Sequence, residues 1–207
     1  MRLSVDSGPI EGDLLVPDGA RGVVVFAHGS GSSRHSARNR HVASVLQEAG
    51  FGTLLFDLLT ASEEIVDERT RALRFDIALL GERLVAVTDA LGDESRARDL
   101  PVAYFGASTG AAAALVAAAA RPLVRAVVSR GGRPDLAGDA LPHVAVPVLL
   151  IVGSLDRDVL VLNREARARL GGPSELVIVP GATHLFEEPG ALDEVSRLAA
   201  GHFARYL

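Results

Sequence analysis

The chain contains no cysteine, which excludes disulfides, thiolate metal sites and a cysteine nucleophile at once. It has no apolar run approaching the roughly 20 residues that a membrane span requires. Its first nine residues, Met1 to Pro9, lack the apolar stretch and small-residue cleavage site of a secretory signal. A soluble, cytoplasmic protein with no membrane partner is the expectation. Positive charge is not in excess either: the net charge is −5, so no long-range attraction draws the chain to nucleic acid or to an anionic membrane. Internal repeats, linker-like stretches and metal-ligand clusters are also missing, and the alanine-rich segment Ala111–Ala120 is the one low-complexity tract.

What is there is length for one sizeable core, 207 residues with 48% hydrophobic side chains, read as one domain spanning 1–207. Short runs of Val, Leu and Ile alternate with segments of helical period. That alternation predicts a mostly parallel sheet covered by helices on both faces, an α/β fold. Strands are expected at Glu11–Val16, Gly22–Ala27, Thr53–Asp57, Val102–Phe105, Ala126–Ser129, Val148–Val152 and Glu175–Val179. Val42, Val45, Leu46 and Ala49 mark one helix, closed by Gly50. Leu73, Ile77, Leu80, Leu84, Val87 and Leu91 mark a longer one, and a final helix is expected from Gly190 to Ala204. The stretch Arg130–Ala145, rich in Gly, Pro and Asp, has room for a loop with one turn of helix but not for a large cap.

The most specific motif is Gly106-Ala107-Ser108-Thr109-Gly110, placed between a strand and the alanine helix. A serine on so tight a turn needs small residues two positions before and after it, and the helix that follows aims N–H groups and positive dipole at the reacting centre. The same glycines, read as Gly106-x-x-x-Gly110-x-Ala112, also fit a dinucleotide-binding turn, with Arg130 suited to a 2′-phosphate. Against that reading, the turn comes halfway along the chain rather than after the first strand.

A serine nucleophile needs a base, and His184 lies on the loop just past the strand ending at Val179. The carboxylate that orients it belongs on a neighbouring strand end, which Asp156 supplies; Asp158 is assigned instead to capping the helix that begins near Val159. The order Ser108, Asp156, His184 is that of α/β-hydrolases. The oxyanion donors are expected to be the Thr109 N–H and the Ser30 N–H, with Gly29 as the alternative. His28 is assigned a structural role. Arg34, Arg38 and Arg40 follow the Gly29 turn, and Arg130 and Arg133 follow a later strand. Gly29, Arg34, Arg130 and Arg133 are candidates for binding substrate, the arginines through a carboxylate or phosphate, although each arginine could equally be an ordinary surface ion pair. Asp57 is expected to anchor one of these arginines or to shape the pocket.

Together, His28-Gly29-Ser30-Gly31, the Ser108 motif, Gly153-x-x-Asp156 and Gly181-Ala182-Thr183-His184 resemble the dienelactone-hydrolase-like branch of the α/β-hydrolase superfamily over nearly the whole chain. The segments Phe26–Ser36 and Ser129–Leu136 further resemble a bacterial group of hydrolases, some of them fused behind a phosphoribosyltransferase domain. Dienelactone hydrolase itself carries a cysteine where this chain has Ser108, so the resemblance implies hydrolysis of small or short-chain esters, or lactones, rather than of dienelactones. It implies no metal or organic cofactor and a small-molecule substrate. A non-catalytic ligand-binding protein on the same fold and an acyltransferase remain the alternatives, with a dinucleotide-dependent oxidoreductase behind them.

Overall fold

The apolar runs pair into one eight-stranded sheet. A computed structural model describes all 207 residues and places the strands at Arg2–Val5 (β1), Gly8–Leu15 (β2), Val23–Ala27 (β3), Gly52–Phe56 (β4), Val102–Ala107 (β5), Val124–Arg130 (β6), Val148–Gly153 (β7) and Ser174–Val179 (β8). Their order is β1-β2-β4-β3-β5-β6-β7-β8. β1 and β2 pair antiparallel with each other, β2 pairs antiparallel with β4, and every later pair is parallel.

Helices Ala37–Glu48 (α1), Ala61–Thr70 (α2), Ile77–Ala90 (α3), Thr109–Ala120 (α4), Arg157–Arg167 (α5) and Ala191–Tyr206 (α6) complete the layers. Alternate residues of each central strand enter opposite cores. Val23, Val25 and Ala27 pack with Leu80 and Leu84 of α3 and the alanines of α4. Val24 and Phe26 pack with Val42 and Leu46 of α1 and with Val195 and Phe203 of α6. Slim side chains let α3 and α4 approach closely: a Cβ on Gly81 would stand 2.8 Å from Val116 Cγ1. No helix is long and apolar enough to cross a membrane.

Several sequence expectations need correction. β1 was not anticipated, because four residues with alternating exposure at a sheet edge carry almost no apolar signal. The helix expected from Leu73 starts at Ile77: the Asp76 side chain accepts the Leu79 N–H at 3.0 Å and caps it there, leaving Leu73–Phe75 as a 3₁₀ turn. α2 was also missed. Between β6 and β7, Pro134–His143 forms two short 3₁₀ pieces kinked at Gly138 (φ 53°), rather than one turn. No large cap covers the sheet.

The chain runs from β3 to β4 on one side and then to β5 on the other. The loops after β3 and β5 therefore diverge at the C-terminal edge, where open α/β sheets bind ligands.

Candidate active site

Ser108 sits at that divergence with φ 51° and ψ −121°, a backbone region that costs a non-glycine residue about 1–3 kcal/mol. Surrounding bonds hold it there. Its N–H donates to Arg130 O (3.2 Å), and its own carbonyl accepts from Ala111 N (3.1 Å) and Arg133 N (3.0 Å). The flanking glycines are obligatory on steric grounds. A Cβ on Gly106 would lie 2.4 Å from Ala111 Cα, and one on Gly110 would lie 2.2 Å from Ala27 O. Close packing of the turn on its own backbone thus accounts for both glycines without a dinucleotide.

The loops after β7 and β8 are locked together. Leu155 N donates to Ala182 O (3.0 Å), and Gly181 N donates to Ser154 Oγ (2.8 Å). This brings His184 and Asp156 together: His184 Nδ1 lies 2.6 Å from Asp156 Oδ2. An ionised carboxylate only accepts, so the Nδ1 of this pair carries the proton, and in the neutral imidazole the lone pair is on Nε2. The histidine side chain is 39% exposed and the aspartate 14%. Asp158 does not cap α5 as expected. Asp156 holds the N-cap position, and Asp158 lies exposed in the first turn.

Ser108 and His184 line one cavity of about 240 Å³, together with Gly29, Ser30, Ser32, Ser36, Arg38, Asn39, Ala107, Arg130 and Leu185. The N–H groups of Gly29, Ser30 and Thr109 donate to no protein acceptor. Gly29 also has a steric part, since a Cβ there would stand 3.0 Å from Ser108 Cβ. His28 is held in the wall: Nδ1 meets Gly29 O (2.9 Å), and Nε2 accepts the Leu58 N–H (3.1 Å). Burial lowers its pKa, so the ring stays neutral.

The arginines divide sharply. Arg34 is bound to Asp57 through both its N–H and its guanidinium, and Arg133 pairs with Asp135 through two bonds of 2.9 and 2.8 Å. Neither lines the cavity, so both are corrected from substrate contacts to ion pairs. Arg130 does line it. It is only 8% exposed, has no carboxylate partner, and makes one long bond, Nη2 to Asn39 Oδ1 at 3.5 Å. Burial, and then the nearby Arg38 charge, pull its pKa down to about 10, so it remains charged at neutral pH. An uncompensated ion of this kind costs several kcal/mol. The cavity side chains of Ser32, Ser36 and Asn39 were not singled out from the sequence. Asn39, polar yet 2% exposed within α1, is the one whose environment marks it.

Among solved structures, a dienelactone hydrolase from Anabaena variabilis is 59% identical, with a TM-score of 0.97, covering 100% of this chain and 96% of that one. Est1E from Butyrivibrio proteoclasticus superposes with a TM-score of 0.80 over 99% of this chain and 97% of its own, at 16% identity, a likeness of fold alone. A Mycobacterium tuberculosis protein named as a phosphoribosyl transferase is 62% identical over 200 residues, which is 96% of this chain but 44% of that protein. The chain thus spans less than half the length of that relative. The family model described as "Dienelactone hydrolase family" matches residues 10–207, and the chain belongs to that family.

Proposed function

We propose that the protein is a serine hydrolase of small or short-chain carboxylic esters, acting through an acyl-Ser108 intermediate. The observation that carries this reading is the 2.6 Å bond from His184 Nδ1 to Asp156, made by a histidine that lines the same cavity as Ser108.

In the reaction, His184 Nε2 removes the Ser108 hydroxyl proton as Oγ attacks the ester carbonyl. The negative charge that forms on the carbonyl oxygen is met by the Thr109 N–H and by the Ser30 N–H, at the positive end of α4. His184 then gives its proton to the departing alcohol. Water, deprotonated by the same nitrogen, attacks the acyl-serine; the bond to Oγ breaks as His184 returns that proton to Ser108, and the acid product leaves. Asp156 keeps the proton on Nδ1 and stabilises the imidazolium. No step calls on a metal or organic cofactor. The exposure of the imidazole favours water over an alcohol as the acceptor. We assign the transferase name of the mycobacterial relative to the part of that protein outside the span of this chain.

The test is hydrolysis of p-nitrophenyl acetate, butyrate and octanoate by the protein beside its Ser108→Ala variant. Turnover of the acetate that vanishes in the variant supports the reading. Equal rates in both proteins, or none in either, move the assignment to a binding protein.

A further inference from the structure

Arg130 ends β6 beneath the cavity, more than nine-tenths buried, and its Nε and Nη1 have no hydrogen-bond partner. Arg38 Nε is likewise buried and unpartnered, although its Nη1 reaches Glu187 at 3.0 Å. Both side chains line the same space as the Ser32 and Ser36 hydroxyls, and no carboxylate lines it. Glu187, the one acid paired to this group, is 64% exposed. Arg130 therefore brings to the serine pocket a buried positive charge that no carboxylate of the protein neutralises, and a charge of this kind calls for a counter-ion.

The number of donors narrows the ligand. A planar carboxylate is satisfied by one guanidinium in a two-point fork. Here two arginines, Arg130 and Arg38, share the lining with Ser32 and Ser36, more donor-bearing side chains than one carboxylate uses. That surplus of donors suits a tetrahedral oxyanion with three terminal oxygens. We propose that the substrate carries a phosphate monoester group, bound by Arg130 and Arg38 while its ester carbonyl faces Ser108. This rests on the ester reading for its second half only, since the anion subsite exists whether or not Ser108 turns over.

Isothermal titration calorimetry at fixed ionic strength tests the subsite without turnover. Inorganic phosphate, glycerol 1-phosphate and acetate are titrated into the protein and into its Arg130→Met, Arg38→Gln and Arg133→Gln variants. Phosphate is expected to bind at least about tenfold more tightly than acetate, and the monoester at least as tightly as free phosphate. Arg130→Met and Arg38→Gln each weaken phosphate by about tenfold or more, while Arg133→Gln leaves it unchanged. Should Arg130→Met fail to fold, the half-buried Arg38→Gln decides.

Three results overturn the proposal: no phosphate heat up to about 20 mM, acetate binding as tightly as phosphate, or phosphate binding unaltered by both cavity variants. A monoester that binds clearly more weakly than free phosphate overturns the substrate-borne form of it. Phosphate binding intact in a protein that hydrolyses no ester would remove the hydrolase reading and leave the subsite standing.

Discussion

The carboxylate of Asp156 stands at the N-cap of α5 yet bonds none of that helix's N–H groups; it is turned to His184 Nδ1 instead, at 2.6 Å. A cap of this type ordinarily contributes about 1 kcal/mol to its helix. Here that contribution is given up, and Asp158 in the first turn supplies the favourable charge to the helix dipole.

The two aspartates should therefore separate cleanly. Asp156→Asn offers His184 an amide that can donate to Nδ1, which favours the tautomer with the proton on Nε2. The value of kcat for p-nitrophenyl acetate is expected to fall by about a thousandfold or more. Asp158→Asn should leave kcat within about twofold, at a stability loss of about 0.5 kcal/mol from the helix dipole. Steady-state rates and urea melts of the two variants check both halves.

Ser108 pays in backbone strain for its position, and that strain can be measured. Ser108→Gly and Ser108→Ala both remove the hydroxyl and should both be inactive. Only glycine accepts φ 51°, ψ −121° without strain, so Ser108→Gly should be the more stable of the two by about 1 kcal/mol. This reverses the usual order, in which glycine loses by about 0.5–1 kcal/mol. Urea unfolding midpoints decide it, and an alanine variant more stable than the glycine one would contradict the strain.

The strands β2 to β8 were legible because each apolar run ends within a residue or two at Gly, Ser, Pro or Asp, and the site was legible because its three side chains hang just past the ends of three strands, β5, β7 and β8. Pairing was harder to see. Arg34 and Asp57 are 23 residues apart, and no local pattern says that one neutralises the other, whereas Arg133 and Asp135 are two residues apart, a spacing at which such a pair can be read locally. Periodicity also ran straight through Asp76, since Leu73 and Ile77 keep a helical spacing across the cap. α2 shows no apolar stripe. Its signature was the capping box Thr60-x-x-Glu63, with Glu63 further held by Arg83 at 2.6 Å, a local cue that hydrophobic period alone passes over.

Two buried histidines should set the weak-acid stability of the fold. His28 and His202 both have pKa values lowered by burial. Below about pH 6.5 the unfolded chain binds protons that the folded one refuses. Their stabilising contribution is complete above that pH and is lost as pH falls toward the lowered native values. Each can add a slope of up to about 1.4 kcal/mol per pH unit in that window. Urea unfolding between pH 7.5 and 5 should show stability falling with acid, and His202→Gln should flatten the slope by one histidine's share. A stability that rises on acidification through this range would be the opposite sign and would rule the assignment out.

The proposed ester hydrolysis leaves a short acyl group one place beside the oxyanion donors. Beside Thr109 and Ser30, a crevice of about 20 Å³ is walled by Leu58, Leu59 and Leu80, space for about one water-sized group. Acetate esters should therefore outrun octanoate esters in kcat/KM. Leu80 is 2% exposed, and Leu80→Ala should open the crevice at a stability loss of about 2–5 kcal/mol. Leu59→Ala, at a half-buried position, should open it at a smaller loss. Each methylene newly accommodated is worth about 1–3 kcal/mol in a hydrophobic pocket, so the octanoate-to-acetate ratio should rise about tenfold or more in either variant. Rates for both esters, taken well below the melting temperature, are the check. A ratio unmoved in both variants would place the acyl chain outside this crevice, in the open cavity on the His184 side of Ser108.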